Sequence, residues 1–286
     1  MLLEGKNVIF EKYYPNVERE TPVISFSRAK SITSIAVGKA LCERKISLQD
    51  PVSKYIPEVK DNVYGKAKIV SVLSMSSGAS TGLPHGDVVQ GETSRWAQGV
   101  KSQLDTLLQY DAVFLSGEGT FKYKNQDPST IGIVLDRVYN KGIEEYFQKN
   151  VWETIRAKSS ATWMLDKASV PISSSYLIAT TGDWGRAGLY VNSILRRDTN
   201  DECMFNYFKD ATSLQKRTDE KQFQGYGYYF WTNQLMDRKN EIIWMRGVGG
   251  QLVAMHPGTN KVMVYNSLNG SNADEVATAF VQWVYQ

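Results

Sequence analysis

The stretch at residues 25–45, SFSRAKSITSIAVGKALCERK, decides how the rest of the chain reads. Ala29, Ile32, Ile35, Ala36, Val37, Ala40 and Leu41 recur at helical spacing, which predicts one buried helix. Lys30 then falls in its first turn, three residues after Ser27, and a charge in that place needs a reason. Positions three apart share a helix face. At the helix start the Ser27 N–H has no intrahelical partner and sits in the positive end of the dipole, which favours an oxygen carrying developing negative charge. A lysine held there among apolar neighbours has its pKa pushed down. A neutral amine beside a hydroxyl is a general base beside a nucleophile. The ordinary alternative is a serine N-cap followed by a lysine that snorkels to solvent. The same S-x-x-K spacing recurs at Ser213–Lys216, inside the polar run TSLQKRTDEKQ, where it reads as solvated surface. The spacing alone leaves both readings open.

Composition narrows the choices. The 286 residues suffice for one large domain or two small ones, and 42% hydrophobic with 12% aromatic content supports a sizeable core. With 33 basic against 30 acidic residues, and no basic cluster interleaved with aromatics, the chain lacks a nucleic-acid footprint. A small neutral or mixed-charge ligand fits better. Cys42 and Cys203 give neither a disulfide framework nor metal-ligand spacing, so both are expected as buried small apolar residues. Two histidines, His85 and His256, barely supply a zinc site, so neither metal nor cofactor is expected. Charges interrupt MLLEGKNVIFEKYY, which is no signal peptide, and no run reaches the length of a membrane span. The chain as given therefore reads as soluble, and its compartment stays open.

Along the chain, residues 1–14 read as a hairpin turning at EGKN, followed by the helix of the opening stretch. ISLQDPVSKYIPEV is irregular, AKIVSVLSM is a short helix, and residues 78–95 form a Gly-containing polar loop. Helical patterns dominate from about 98 to 216. Beyond 223 the period changes, and FQGYGYYFWTNQL, NEIIWMRG, GQLVAMH and NKVMVYNSL read as successive strands with turns at DRKN and HPGTN. A last helix, NADEVATAFVQWVY, starts at the capping pair Ser271 and Asp274. Strands at both ends around a helical middle predict an α/β (α+β) fold: one antiparallel sheet built from both termini, flanked by helices, with a large helical subdomain inserted. The expected division is about 1–55 and 220–286 for the sheet part and about 56–219 for the helical part, within a single domain.

Two further motifs bear on Lys30. A lysine base needs a proton shuttle, and GEGTFKYKNQD offers Tyr123-Lys124-Asn125 just before a helix. Y-x-N is common on its own and appears again at Tyr14–Asn16 and Tyr190–Asn192. WMRGVGGQLVAMHP places Gly247, Gly249 and Gly250 on what otherwise reads as a strand, where glycine permits a backbone to approach a ligand closely. A bulge at a sheet edge is the competing explanation.

These three elements, in this order, resemble the serine β-lactamase and penicillin-binding-protein superfamily, and within it the class C-like esterase and 6-aminohexanoate-dimer hydrolase branch. The resemblance extends through GKNVIFEKYY, ISLQDPVSKYIPE, VLSMSSGA, TTGDWGRAGLYV and YGYYFW, nearly the whole chain. It implies that Ser27 is the acylated nucleophile, Lys30 its base and Tyr123 the shuttle to the leaving group. Asn125 would bind substrate and orient Lys30, and the N–H groups of Ser27 and Val248 would form the oxyanion hole, with Gly247 and Gly249 beside it. Where penicillin-recognising members carry Lys-Thr-Gly, this chain has Met245-Arg246-Gly247. The usual carboxylate-binding lysine is missing, and Arg246 is the available substitute. Only 26 residues precede Ser27, where relatives carry an additional N-terminal helix. The last helix would then have an uncovered flank, and self-association through Phe280 or Trp283 is the expectation.

Two other readings compete. GASTG at 78–82 matches the α/β-hydrolase elbow G-x-S-x-G, with Ser80 as nucleophile and His256 as base, but an elbow requires a strand before it and a helix after. A sensor or scaffold that kept the fold would be expected to lose the base or the shuttle first, and Lys30 and Tyr123 are both present. The sequence therefore reads as a serine hydrolase of small esters or amides, with β-lactamase or D-alanyl peptidase-type activity as the alternative. No nucleic acid or membrane partner is expected.

Overall fold

A computed structural model describes residues 1–80, 89–110, 119–140, 142–267, 269–270 and 272–286, and leaves the side chains of 89–91 undescribed. The strands, in chain order, are β1 (Leu2–Glu4), β2 (Asn7–Phe10), β3 (Pro22–Ile24), β4 (Thr162–Trp163), β5 (Leu177–Thr180), β6 (Lys216–Arg217), β7 (Phe223–Tyr226), β8 (Trp231–Gln234), β9 (Ile243–Gly247), β10 (Gln251–His256) and β11 (Lys261–Tyr265). The helices are α1 (Ala29–Cys42), α2 (Val63–Lys66), α3 (Ile69–Leu73), α4 (Val89–Ala97), α5 (Gln103–Leu107), α6 (Gln126–Val138), α7 (Ile143–Phe147), α8 (Thr181–Leu195), α9 (Glu202–Ala211) and α10 (Ala273–Val284).

Eight strands form one antiparallel sheet in the order β2-β1-β11-β10-β9-β8-β7-β6. The N-terminal hairpin joins the C-terminal strands through β1, where Leu2 faces Met263 across the ladder. Strands from both ends of the chain thus share one sheet. β10 reads QLVAMH and is buried along its full length, because α8 covers one of its faces and α10 packs against it as well. Gly188 lets α8 come that close: a Cβ there would press on Val262 and Met255.

A second, three-stranded sheet, β3-β5-β4, pins the segment just before α1. Its last contact, Ser25 N–H to the Leu177 carbonyl at 2.9 Å, delivers the chain to the start of α1. In α1, residues Ala29 to Gly38 are all buried, so the helix is enclosed on every side rather than amphipathic. Its buried hydroxyls are all bonded: Ser31 donates to the Tyr229 carbonyl, Thr33 to the Ser173 carbonyl, and Ser34 pairs with the Tyr207 hydroxyl.

Several expectations need correction. Cys42 and Cys203 are not separate apolar fillers: they form a disulfide joining the end of α1 to the start of α9 across 161 residues. The run 78–95 is not wholly loop, since α4 begins at Val89. The stretch 223–235 is a hairpin rather than one strand. It turns at 227–230, where Tyr229 takes a positive φ of 62°. Ser271 lies outside the described residues, and α10 has Asn272 at its N-cap without a side-chain cap bond. Of the flank through which self-association is expected, Phe280 is buried and Trp283 half-buried within this chain. Phe280 is buried against Trp244, and the Lys261 ammonium lies 4.5 Å over the half-buried Trp283 ring. The helix has rolled its aromatic stripe onto the sheet. Among the described residues, no helix is long and apolar enough to cross a membrane.

Candidate active site

Ser27 sits in a 3₁₀ turn, Phe26–Arg28, that runs directly into α1. Phe26 is held at a φ of 45°, a left-handed conformation costly for a bulky residue. Surrounding structure must impose it, and the β3–β5 ladder on one side with α1 on the other does so. One turn further on, Lys30 is 1% exposed, and its Nζ has three partners, each at 2.8 Å. They are Ser27 Oγ, Asn125 Oδ1 and the backbone carbonyl of Ser174. Burial pushes the Lys30 pKa well down.

The partner set fits a neutral amine. Two of the three are carbonyl oxygens that can only accept, and a neutral amine has two N–H groups to give them. An ammonium would donate to all three oxygens, whereas a neutral amine that gives its two N–H groups to the carbonyls would turn its lone pair to Ser27 Oγ.

Tyr123 forms the adjoining wall. Its ring centroid is 5.0 Å from Lys30 Nζ, and it packs on Trp231 at 5.5 Å and Tyr226 at 6.1 Å. Burial raises the Tyr123 pKa to about 12, against the opposing pull of a hydrogen bond with Ser27 and the charge of Arg246. The phenol therefore keeps its proton. Asn125 stands at the N-cap of α6, yet its side chain makes no cap bond. The amide is turned into the site instead: Oδ1 accepts from Lys30 and Nδ2 donates to Thr93 Oγ1 at 2.9 Å. A residue type that normally satisfies a helix end has been diverted to another task.

Beneath this wall lies a buried ion pair. Lys124, between Tyr123 and Asn125 in sequence, reaches Asp127 at 3.5 Å. Asp127 also accepts from Tyr64 and Ser77 at 3.0 and 2.8 Å. Burial raises the Asp127 pKa, and Lys124 is the first influence opposing it.

The glycine-bearing strand closes the other side. Gly247 ends β9, where a Cβ would run into the Ser25 carbonyl and stand 3.3 Å from the Ser27 nitrogen. Only a bare backbone can lie this close to the nucleophile's turn. Val248 follows and is exposed. Gly249 and Gly250 are not on the strand as expected: they occupy the β9–β10 turn at φ 80° and 84°. Arg246 packs in the corner of two rings, with its guanidinium carbon 3.9 Å from the Phe223 centroid and 4.7 Å from that of Trp231. Burial lowers its pKa, while the nearby Glu220 works against the shift. Met245, where the lysine of relatives would stand, is buried.

The competing motifs fall elsewhere. Ser80 follows helix α3 and a bend rather than a strand, so the α/β-hydrolase elbow is not formed, and the second glycine of that motif lies outside the described residues. His256 is at the far end of β10 from Gln251, bonded to Thr259 and close to Glu241. Lys216 of the second S-x-x-K copy bonds the Gly119 carbonyl on the surface. Thr93 and the Ser174 carbonyl are site contacts that sequence reasoning missed, because no motif includes them.

A 3₁₀ turn bearing Ser27, a buried amine and a glycine strand edge can be compared with known families. The Beta-lactamase family model matches residues 1–283. The chain belongs to the Beta-lactamase family. A curated relative, 6-aminohexanoate-dimer hydrolase of Paenarthrobacter ureafaciens, is 23% identical over 199 residues, covering 66% of this chain and 50% of the relative. The chain thus spans about half the length of that relative. Among solved structures, a penicillin binding protein from Bacillus halodurans superposes with a TM-score of 0.72 at 19% identity, covering 99% of this chain and 95% of that one. A D-stereospecific amidohydrolase from Streptomyces sp. superposes at 0.70 and 14% identity, covering 98% and 92%. At these identities the likeness establishes the fold, which this member of the Beta-lactamase family shares with both.

Proposed function

We propose that this chain is a serine hydrolase that cleaves esters or amides of small carboxylic acids through an acyl-enzyme on Ser27. The observation that carries the reading is the Lys30 amine, buried with no carboxylate partner among the described residues and bonded at 2.8 Å to Ser27 Oγ. In acylation, the Lys30 lone pair takes the Ser27 proton as Oγ attacks the acyl carbon. The oxyanion that forms is stabilised by the backbone N–H groups of Ser27 and Val248, with Gly247 keeping strand and turn close together. Tyr123 gives its proton to the departing oxygen or nitrogen and is reprotonated from Lys30. The C–O or C–N bond to the leaving group breaks and the acyl group stays on Ser27. Water then attacks the ester, losing its proton along the same path in reverse, and free acid leaves.

Substrate preference follows from the rim. Arg246 has its guanidinium held against Phe223 and Trp231, and no lysine stands at Met245 to meet an anionic β-lactam. Phe121, Tyr226 and Trp231 form an aromatic cluster beside Tyr123 that suits an apolar acyl or aryl group. Short-chain aryl esters are therefore expected to exceed penicillins and cephalosporins in kcat/KM. The test is hydrolysis of p-nitrophenyl butyrate and nitrocefin by wild type and Ser27→Ala. Loss of all turnover in Ser27→Ala, with the ester preferred by wild type, is the expected result. Activity that survives in Ser27→Ala contradicts the assignment, and nitrocefin turning over faster than the ester contradicts the preference.

A further inference from the structure

Behind α1 lies a cavity of about 210 Å³ whose walls include Ile32, Phe147, Trp152, Trp163, Leu165 and Leu177. Ile32 stands two residues beyond Lys30, about half a turn round the helix, so it faces away from the Ser27 pocket. Neither Ser27, Tyr123, Asn125 nor Arg246 lines this cavity. One wall, from Pro171 to Leu177, is nonetheless the segment whose Ser173 and Ser174 carbonyls bond Thr33 and Lys30.

Size and charge decide what the cavity can take. An apolar cavity of about 150 Å³ stays dry and admits benzene, so this one has room for a single ring with a short chain. Phe147 and Trp163 place their ring centroids 4.8 Å apart at 56°, and Trp152 adds a third ring. Both indole N–H groups are already committed. Trp152 donates to the Ser159 carbonyl at 2.8 Å, and Trp163 donates to the Ile172 and Ser175 carbonyls, each at 2.9 Å. The rings therefore offer a ligand their π faces and edges and no donor, which suits an aromatic group or a cation. Glu144 and Gln148, one turn apart, supply the polar lining. Gln148 gives its amide to Glu153 at 3.3 Å. Glu144 has no hydrogen-bond or ion-pair partner among the described residues, and among them no basic side chain lines the cavity. Gln148 to Trp152 form one π-helical turn, a rare geometry frequently kept at functional sites, and both its ends reach the cavity.

We propose that this cavity is a second binding site, for a small organic cation: one aromatic ring lies among Phe147, Trp152 and Trp163, and its ammonium meets the Glu144 carboxylate. The site is separate from the Ser27 pocket, and the inference does not depend on the acyl-enzyme reading. An occupant lies against the segment that presents the Ser174 carbonyl to Lys30.

The experiment follows the tryptophan indole N–H resonances of the protein by NMR as 2-phenylethylamine, 2-phenylethanol or phenylacetate is added. The amine should shift the Trp152 and Trp163 signals saturably, with a Kd of roughly 1 mM, as expected for one buried ring after the cost of association. Trp231, which packs on Tyr123, should move far less. Glu144 is solvent-exposed, so the neutral alcohol should bind only about threefold to fivefold more weakly, and phenylacetate more weakly still. Glu144→Gln should reduce the amine to the affinity of the alcohol and leave the alcohol unchanged. Shifts confined to Trp231, or no saturable shift of Trp152 and Trp163 up to roughly tenfold above that Kd, overturn the site. Equal affinity for amine and alcohol, or an amine affinity unchanged in Glu144→Gln, overturns the assignment of a cation.

Discussion

Lys30 and Lys124 are both almost fully buried, at 1% and 2% exposure, and their surroundings differ in one respect. Lys124 has a carboxylate, Asp127, at 3.5 Å. Lys30 has none among the described residues, and its three partners are a hydroxyl and two carbonyls. Desolvation bears on both amines. Where an acid is supplied, the result is an ion pair that fixes the wall carrying Tyr123 and Asn125. Where only neutral dipoles are supplied, burial pushes the amine's pKa well down next to a serine. The lesson is that burial alone does not make a base: withholding the counter-charge does.

Exchanging the two environments gives the sharpest tests. Lys30→Ala should lower kcat by at least about a hundredfold, as for a lost general base. Tyr123→Phe should cost a comparable factor, and the double variant should cost little more, because the residues act as one unit. Lys124→Met should instead appear as lost stability, about 3 kcal/mol in urea unfolding, because it strands the Asp127 carboxylate. The folded fraction should keep kcat within about tenfold of wild type. Adding Asp127→Asn should recover much of the stability. A Lys124→Met enzyme as dead as Lys30→Ala would erase the contrast.

The pH dependence separates the pair again. Burial depresses the Lys30 pKa, so activity should rise with pH through that lowered value, with an acid limb well below the ordinary lysine range. Tyr123, raised to about 12, stays protonated and should leave the alkaline side flat over the working range. Lys124→Met should not move the acid limb. A limb that shifts with Lys124 rather than with the groups bonded to Lys30 would assign the titration to the wrong lysine.

The smallest expected effect concerns the strand edge. Gly247→Ala forces a methyl against the Ser25 carbonyl beside the nucleophile's turn, and the neighbouring backbone must move to admit it. A fall in kcat of roughly tenfold, with KM little changed, is expected if the edge serves the oxyanion rather than substrate docking. A change confined to KM would point to docking.

Much of this architecture was legible. Ser27 and Lys30 lie three apart, so local helical geometry alone brings them together. The switch to strand patterning after 223 and the hairpin at the N-terminus already specified a sheet shared by both termini. Tyr123 and Asn125 lie more than ninety residues from Lys30, and motif order rather than any local rule brought them to it. What escaped had no local signature. The Cys42–Cys203 link spans 161 residues, and two isolated cysteines carry no spacing that announces a pair. The roll of α10 depended on Lys261 being available to cover Trp283, a tertiary fact. Gly249 read as part of a strand because three glycines in four positions look alike in sequence, whereas φ distinguishes a turn from a close approach. Thr93 has no pattern at all, and only the diverted amide of Asn125 reveals it.

The central claim is that Ser27 is the residue activated by Lys30, and covalent labelling tests it most directly. Wild type treated with a fluorophosphonate should gain one adduct, and peptide mass spectrometry should place it on Ser27, with labelling much slowed in Lys30→Ala and normal in Lys124→Met. An adduct on Ser80 or another serine, or undiminished labelling of Lys30→Ala, would contradict the account.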